Sequence, residues 1–308
     1  MVAEPGWTRI PGVVGDAFAI TLADGRRLEG WATGERTAPA VFLHVGTPCA
    51  GIAFEPMVEA ALARGCRFVT YSRPGYAGST RREGRSVADC VEDVAAIASE
   101  LGLERAHVVG WSGGGPHALA CAALLPGLVA SAATLAGVAP WEAAGLDWMD
   151  GMADENLEEF GAADDGTEAL QRFLGPTAAE HRDVTGDTVA AMLGGLVTEV
   201  DRRALTGGFA DYMAETMRAA LSTGYWGWLD DDLAFVRDWG FALDDIRVPV
   251  TVWQGRQDAM VPYAHGAWLA SHVAGARGML FEDEGHLSLV ARFGDVVDDL
   301  LAVAPAVR

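Results

Sequence analysis

Three residues whose side chains could form a nucleophilic triad stand far apart in the sequence: Ser112, Asp258 and His286. A serine hydroxyl is a weak nucleophile until a histidine accepts its proton, and the histidine needs an acid that orients its ring. Ser112 lies in a Gly-x-Ser-x-Gly pattern within "HVVGWSGGGPH", after an apolar run and before a small-residue helix that opens with Pro116. In this strand–turn–helix setting the pattern exposes a serine at a helix N-terminus. The sequence therefore predicts a nucleophile at Ser112; the alternative is a glycine-rich turn without chemical use.

The candidate base is chosen among the five histidines that follow Ser112. His286 lies in "EDEGHLSL", a short segment after the last apolar run, at the edge of a parallel sheet where ligands bind. The other histidines fall on predicted helices or in a long insertion: His117, His181, His265 and His272. We therefore predict that His286 is the base and that His117 is a structural neighbour of the serine.

The candidate acid follows the preceding apolar run. Asp258 comes three residues after "VPVTVWQG" in a turn, at the same sheet edge as His286. Asp283 and Glu284 are closer to His286 in the sequence, but they end a strand and are expected to be solvated. Glu142, which follows the apolar run 130–137, is the alternative acid. We predict Asp258.

Two backbone amides should stabilise the oxyanion that forms when a serine attacks a carbonyl group. One belongs to the residue after the nucleophile, Gly113, and the other to the loop after the run "AVFLHV". Pro48 has no N–H, so Thr47 is the predicted second donor, with Gly46 as the alternative. His44 is expected to anchor this loop through a hydrogen bond.

The elements that must position these residues form an alternating pattern. Short, nearly continuous apolar runs are typical of strands covered on both faces: 40–45, 67–72, 107–111, 130–137, 248–255 and 277–283. Helix-length stretches lie between them: 52–64, 86–101 (with Ser86 as N-cap), 114–125, 262–273 and 287–303. A hairpin around Asp24-Gly25 is predicted over 17–32. The pattern predicts an α/β fold with a mostly parallel sheet and helices on both faces.

One insertion interrupts the alternation. Residues 141–240 are predicted to form a helical cap, so that 1–140 and 241–308 make up the core. The predicted cap helices are 141–160, 166–173, 176–193, 199–222 and 229–239. Residues 141–171 contain ten carboxylates and no arginine. This acidic segment would disfavour anionic substrates at a cavity entrance, or it is simply a solvated face.

Tryptophans could line an apolar substrate pocket, because the chain has ten of them. Trp111 precedes the candidate nucleophile, and Trp141 and Trp226 flank the cap at its two ends. We take these three as candidate substrate-binding residues; the alternative is packing between cap and core.

Composition excludes several classes of function. The formal net charge is −21, which argues against nucleic-acid binding. All 22 cationic residues are arginine, so Schiff-base chemistry, pyridoxal phosphate anchoring and a P-loop, which use lysine, are excluded. Four scattered cysteines suggest free thiols and no metal site. No apolar run approaches the roughly 20 residues of a membrane helix. We expect a soluble cytoplasmic protein with a small-molecule substrate and no cofactor, metal, nucleic acid or membrane partner; homo-oligomerisation stays open.

Together these motifs resemble the α/β-hydrolase family over nearly the whole chain. "YSRPGYAGS" (71–79) is similar to the family's Arg-Pro-Gly-x-Gly-x-Ser turn, and "VGTPC" to its His-Gly-x-Pro oxyanion loop, with Val45 where the family usually has histidine. Family members that are epoxide hydrolases or dehalogenases carry aspartate in place of Ser112. The resemblance implies the serine-nucleophile branch, esterase-like, with a helical cap.

The resemblance implies hydrolysis through an acyl-enzyme, and the tryptophans and the acidic segment favour a neutral, moderately apolar ester or lactone as the substrate. Proline iminopeptidases and carbon–carbon bond hydrolases share the triad and stay open as alternatives. So do a non-hydrolytic acyltransferase or perhydrolase, and a catalytically silent binding protein.

Overall fold

A sheet of eight strands organises the chain, whose computed structural model describes residues 15–303. The strands are β1 (Asp16–Thr21), β2 (Arg27–Thr33), β3 (Ala40–His44), β4 (Arg67–Tyr71), β5 (Ala106–Trp111), β6 (Val129–Leu135), β7 (Val250–Gly255) and β8 (Arg277–Phe281). Their order across the sheet is β1-β2-β4-β3-β5-β6-β7-β8. The strands β1 and β2 run antiparallel to their neighbours, and the strands from β4 to β8 pair in parallel.

Helices cover the sheet and fill the long connection between β6 and β7. They are α1 (Glu55–Leu62), α2 (Cys90–Leu101), α3 (Gly115–Leu124), α4 (Asp154–Asp164), α5 (Thr167–His181), α6 (Val189–Met192), α7 (Glu199–Ala204), α8 (Gly207–Ala220), α9 (Trp226–Phe235), α10 (Tyr263–His272) and α11 (Phe293–Val303). Every residue of β3, β4, β5, β6 and β7 is buried, which requires cover on both faces. The predicted fold class, the hairpin and the six later strands are confirmed.

Some predicted helix boundaries are wrong, mostly in the cap. Residues 141–153 form turns, with Gly145 and Gly151 in left-handed backbone conformations, so the first cap helix begins only at Asp154. The predicted break before Pro176 is absent because α5 continues through this residue. A break at 205–206 instead separates α7 from α8.

The predicted N-cap of α2 is also wrong. This helix starts at Cys90 with Asp89 as its N-cap, and the Ser86 amide donates to the Asp89 carboxylate at 2.7 Å. Ser86 and Asp89 are hydrogen-bonded to each other, but the helix begins one turn later than an N-cap at Ser86 would place it.

The insertion packs against the carboxyl edge of the sheet through specific hydrogen bonds. Thr216 on α8 donates its hydroxyl to Ala50 O at 2.7 Å, and the Ala50 amide donates to Thr216 O at 3.2 Å. Asn156 on α4 donates to Met260 O at 2.9 Å. These contacts hold α4 and α8 beside the loops that follow β3 and β7. We call residues 141–240 the cap; that they form a unit separate from the core stays a prediction. Between residues 15 and 303, no helix combines the length and apolarity that crossing a bilayer requires.

Candidate active site

Ser112 lies in a sharp turn between β5 and α3. Its φ is +54°, a left-handed conformation that costs a non-glycine residue free energy and marks a constrained site. The neighbouring glycines allow this turn because backbone approaches them closely. A Cβ atom on Gly110 would lie 2.2 Å from Gly114 O, and one on Gly114 would lie 2.1 Å from His44 O. The predicted strand–turn–helix geometry is therefore confirmed.

The loops after β7 and β8 bring Asp258 and His286 into direct contact. His286 Nδ1 lies 2.9 Å from Asp258 Oδ2; because the carboxylate only accepts, Nδ1 carries the proton and donates. The other Asp258 oxygen accepts the amides of Met260 at 2.9 Å and Val261 at 2.8 Å. Gln254 Nε2 donates to Oδ2 at 3.0 Å. The carboxylate is thus fixed in place and leaves His286 Nε2 as the free ring nitrogen.

His286 and Ser112 line the same cavity without a direct hydrogen bond between them. Catalytic hydrogen bonds of this kind are often formed only once the substrate is bound. The structure therefore joins the predicted acid and base and places the predicted nucleophile beside the same cavity.

Asp201, which was not among the predicted site residues, lies in the cap and holds the loop of His286. This carboxylate on α7 is fully buried and accepts the backbone amides of His286 at 3.0 Å, Leu287 at 2.8 Å and Ser288 at 2.9 Å. A Cβ atom on Gly285 would lie about 2.5 Å from the Asp201 carboxylate, so glycine is needed there. A cap residue therefore positions the histidine backbone. In the sequence, Thr198 and Asp201 have the spacing of residues that close the N-terminus of a helix. That spacing gives no sign of the contact between Asp201 and the His286 loop.

Two carboxylates determine the protonation of His286. Burial lowers its pKa, but the negative charge of Asp258, the hydrogen bond to it and the charge of Asp201 raise the pKa, and the net shift is upward from the ordinary value. The imidazolium form is therefore stabilised, as a general base requires when it takes a proton from a nucleophile.

The loop after β3 lies against the turn of Ser112. A Cβ atom on Gly46 would lie 3.6 Å from Ser112 Oγ, and one on Gly113 would lie 2.4 Å from Thr47 Oγ1. Arg73 holds this loop from behind: its guanidinium donates to Val45 O, to Gly46 O at 3.1 Å and to Thr47 Oγ1 at 3.0 Å. The loop is thus placed as an oxyanion loop would be, and the donor roles of the Thr47 and Gly113 amides stay predictions.

Asp231 on α9 completes the support of this loop. It pairs with Arg73 and Arg85, each at 2.6 Å, and accepts hydrogen bonds from Tyr76 at 2.8 Å and Thr47 Oγ1 at 2.7 Å. Burial alone would raise the pKa of this carboxyl group, but the two guanidinium groups outweigh burial and hold it well below the ordinary value. The cap therefore contributes a buried charge that fixes the loop beside Ser112. Asp231 was not among the predicted site residues, although three consecutive aspartates in the apolar helix "WGWLDDDLAF" are an unusual feature that could have drawn attention to it.

The two histidines beneath the turn are buried. His117 Nδ1 donates to Gly113 O at 2.9 Å, and burial lowers the pKa of His117 to about 3, so the ring is neutral at pH 7. Its expected position as a structural neighbour of the serine agrees with this contact. The expected loop-anchoring hydrogen bond of His44 is wrong: the ring stacks on His117, and its Nε2 lies 3.6 Å from Cys121 Sγ.

The cavity above Ser112 has a volume of about 320 Å³ and is bounded by core loops and cap helices. Apolar side chains from both parts form much of its wall, including Trp111, Val138, Phe173, Met213 and Phe235. Carboxylates of α4 also line it, namely Glu155, Glu158 and Glu159. Part of the acidic segment therefore faces the cavity, and the interpretation of the whole segment as a solvated face is wrong.

Of the three candidate tryptophans, one lines the cavity and two do not. Trp111 lines the cavity, with its ring 6.1 Å from that of His286. Trp141 instead packs on Trp148 at 4.7 Å, and Trp226 stacks under Arg81 at 4.7 Å, so both lie outside the cavity wall. The cap tryptophan that does line the cavity is Trp228, two residues after Trp226 and on another face of α9.

No metal-binding geometry accompanies this site. Within residues 15–303, no group of three or more His, Cys, Asp or Glu side chains is arranged to hold a metal ion. All four cysteines are free and buried.

Comparison with known proteins identifies the family of the fold. Residues 39–292 match the family described as the alpha/beta hydrolase fold, and the chain belongs to this family. It is 32% identical over 235 residues to a pimeloyl-[acyl-carrier protein] methyl ester esterase of Aromatoleum aromaticum, covering 73% of this chain and 82% of the relative. It is 26% identical to a bifunctional esterase/perhydrolase of Acinetobacter calcoaceticus, covering 79% and 83%. The bromoperoxidase structure from Bacillus anthracis superposes with a TM-score of 0.70 at 19% identity, over 94% of this chain and all (100%) of that one.

Proposed function

We propose that the protein is a carboxylic ester hydrolase that acts through an acyl-enzyme formed on Ser112. The observation that carries the proposal is the 2.9 Å contact between His286 Nδ1 and Asp258, with His286 and the strained Ser112 on one cavity. Family membership and the esterase names of the relatives support the reaction class.

In this proposal, Ser112 Oγ attacks the ester carbonyl carbon while His286 Nε2 accepts the hydroxyl proton. Asp258 holds the ring and stabilises the imidazolium. The amides of Gly113 and Thr47 donate to the oxyanion. His286 then returns the proton to the leaving alcohol, and a water molecule, activated by the same nitrogen, releases the acid from Ser112.

The substrate that we propose is a moderately apolar ester or lactone, neutral around the reacting bond. Apolar side chains such as Trp111 and Phe235 line the cavity beside Ser112, and the carboxylates of α4 would repel an anionic substrate. Proline iminopeptidase or carbon–carbon bond hydrolase activity would use the same three side chains, so substrate turnover must decide between them. Because the proposed acid and base are in contact, we do not favour a catalytically silent binding protein.

The test is a turnover panel of aryl esters, lactones and proline arylamides on the wild type, Ser112→Ala and His286→Ala. We expect the aryl esters or lactones to be hydrolysed fastest and each variant to lose at least about 10³-fold in kcat. Faster turnover of the arylamides would overturn the ester assignment, and near-wild-type turnover by Ser112→Ala would overturn the nucleophile.

Acyl transfer to an acceptor other than water is a second candidate, because one relative is named as an esterase/perhydrolase. Added hydrogen peroxide or a primary alcohol would then divert acyl groups into peracid or a new ester. A product ratio that does not change with acceptor concentration would contradict transferase action.

A further inference from the structure

A pair of carboxyl groups in the cap stands in the wall of the cavity without a role in the proposed triad. Asp232 on α9 has no exposed surface, lines the cavity, and accepts no hydrogen bond from any N–H or hydroxyl donor of residues 15–303 on either oxygen. Glu159 on α4 lies against it and accepts the Trp228 Nε1 proton at 2.7 Å. Buried carboxyl oxygens without donors cost free energy, so the Asp232 carboxyl group on this cavity suggests a ligand that supplies them.

The two carboxyl groups lie close enough to influence each other's ionisation. Burial raises the pKa of Asp232, and the neighbouring charges of Glu159 and Asp231 raise it further, well above the ordinary value. Burial also raises the pKa of Glu159, although Trp228 and Asp232 oppose that effect through hydrogen bonds. The charge of Glu159 therefore disfavours ionisation of Asp232, and a bound cation would relieve that repulsion.

The position of the pair along α9 relates it to the reaction site. Trp228, Asp232 and Phe235 are spaced at i, i+4 and i+7, which places them on one helix face, and all three line the cavity. A Cβ atom on Gly113 would lie 3.1 Å from the Phe235 ring, so the C-terminal end of α9 lies over the turn of Ser112. Asp232 lies about one helical turn before Phe235. It is therefore roughly 5 Å farther than Phe235 from the turn of Ser112, along the cavity wall.

The charges of the cavity favour a cation. Three further carboxylates line it (Glu155, Glu158 and Glu180), and no arginine does. The nearby guanidinium groups of Arg73 and Arg85 are already paired with Asp231. Two histidines also line the cavity. His286 is already paired with Asp258, and burial lowers the pKa of His181, so the His181 ring is neutral at pH 7.

We propose that Asp232 and Glu159 bind a protonated amine of the substrate, at the end of the molecule away from the ester bond. The inference rests on the proposed ester hydrolysis and narrows its substrate class to amino-substituted esters. An ammonium group supplies both the positive charge and the N–H donors that the Asp232 oxygens lack. Two carboxylates then face one cation.

The test measures binding without turnover, by calorimetry on Ser112→Ala at pH 7. The probes are n-pentylamine, which is protonated at this pH, the neutral n-pentanol and the anionic pentanoate. Asp232→Asn and Glu159→Gln are compared with Asp164→Asn, which removes an exposed carboxylate of α4 outside the cavity. Asparagine keeps the volume of Asp232 and imitates its protonated form, so this variant is expected to fold.

We expect n-pentylamine to bind roughly tenfold or more tightly than n-pentanol, and pentanoate not to bind. Asp232→Asn and Glu159→Gln should remove this preference, and Asp164→Asn should keep it. Equal affinity for the amine and the alcohol, or an amine preference that survives in Asp232→Asn, would overturn the proposal. So would tighter binding of the alcohol that depends on Asp232, because it would assign the pair to a hydroxyl group. Since the assay needs no nucleophile, its failure is separate from failure of the proposed hydrolysis.

Discussion

Replacing Asp201 with asparagine removes one negative charge from the buried contact between α7 and the loop of His286. Asp201 accepts the amides of His286, Leu287 and Ser288, and Thr198 Oγ1 donates to it at 3.2 Å. A carboxamide keeps one acceptor oxygen. When that oxygen accepts the Leu287 and Ser288 amides, the NH₂ group of the asparagine faces the His286 N–H. Two donors then meet where the wild type has a hydrogen bond.

The size of the effect follows from these contacts. A hydrogen bond to a charged group contributes about 1.5–3 kcal/mol, and the unsatisfied His286 amide adds a desolvation cost, so we expect Asp201→Asn to lose about 3 kcal/mol of unfolding free energy. A displaced imidazole ring should lower kcat/KM roughly tenfold to a hundredfold. The pKa of His286 should fall, because the charge of Asp201 is one of the causes that raise it.

The assay is the pH dependence of kcat/KM for an aryl ester, together with urea unfolding. The ascending acid limb reports the pKa of the base in the free enzyme, so it should move to lower pH in Asp201→Asn. Asp183→Asn removes an exposed cap carboxylate and is the matched control. An acid limb that stays in place or moves to higher pH, with kcat/KM near the wild-type value, would refute the assigned role of Asp201.

Three further predictions concern other contacts. Arg73→Lys should lower kcat about tenfold with little change in KM, since an ammonium group cannot replace the fork that holds Val45 and Gly46; unchanged kcat in steady-state kinetics would contradict this. Gly285→Ala should lose about 1–3 kcal/mol of unfolding free energy through contact with the Asp201 carboxylate, whereas Gly127→Ala, whose Cβ would meet nothing within 4 Å, should lose much less; equal losses on urea unfolding would count against the contact. Burial lowers the pKa of His265 from 6.5 to about 4, so below pH 6.5 the unfolded chain takes up a proton that the folded protein excludes. The wild type should therefore lose up to about 1.4 kcal/mol more per pH unit than His265→Gln between pH 6.5 and pH 5, and parallel stability curves would refute this.

The parts of the molecule that local patterns determine could be predicted from the sequence. The turn of Ser112 depends on adjacent glycines and a following helix, and the contact of Asp258 with His286 follows from their placement after neighbouring strands. Parallel strands bring such loops to one sheet edge, so the spacing of apolar runs was sufficient.

The contributions of the cap could not be predicted in this way. Asp201 lies 85 residues from the His286 amide that it accepts, and Asp231 lies 158 residues from Arg73. These pairs depend on how the cap helices pack, which no local period encodes. The same reason explains Trp226 and Trp228: near neighbours in the sequence, they point to different sides of α9, and only the packing of this helix decides which one meets the cavity.

Labelling with a fluorophosphonate followed by peptide mass spectrometry tests the central claim most directly, because it reports whether Ser112 is an activated nucleophile. We predict one phosphonate adduct on the peptide that contains Ser112. The adduct should be absent in Ser112→Ala and form much more slowly in His286→Ala. No labelling of the wild type, or labelling that persists in Ser112→Ala, would contradict the account.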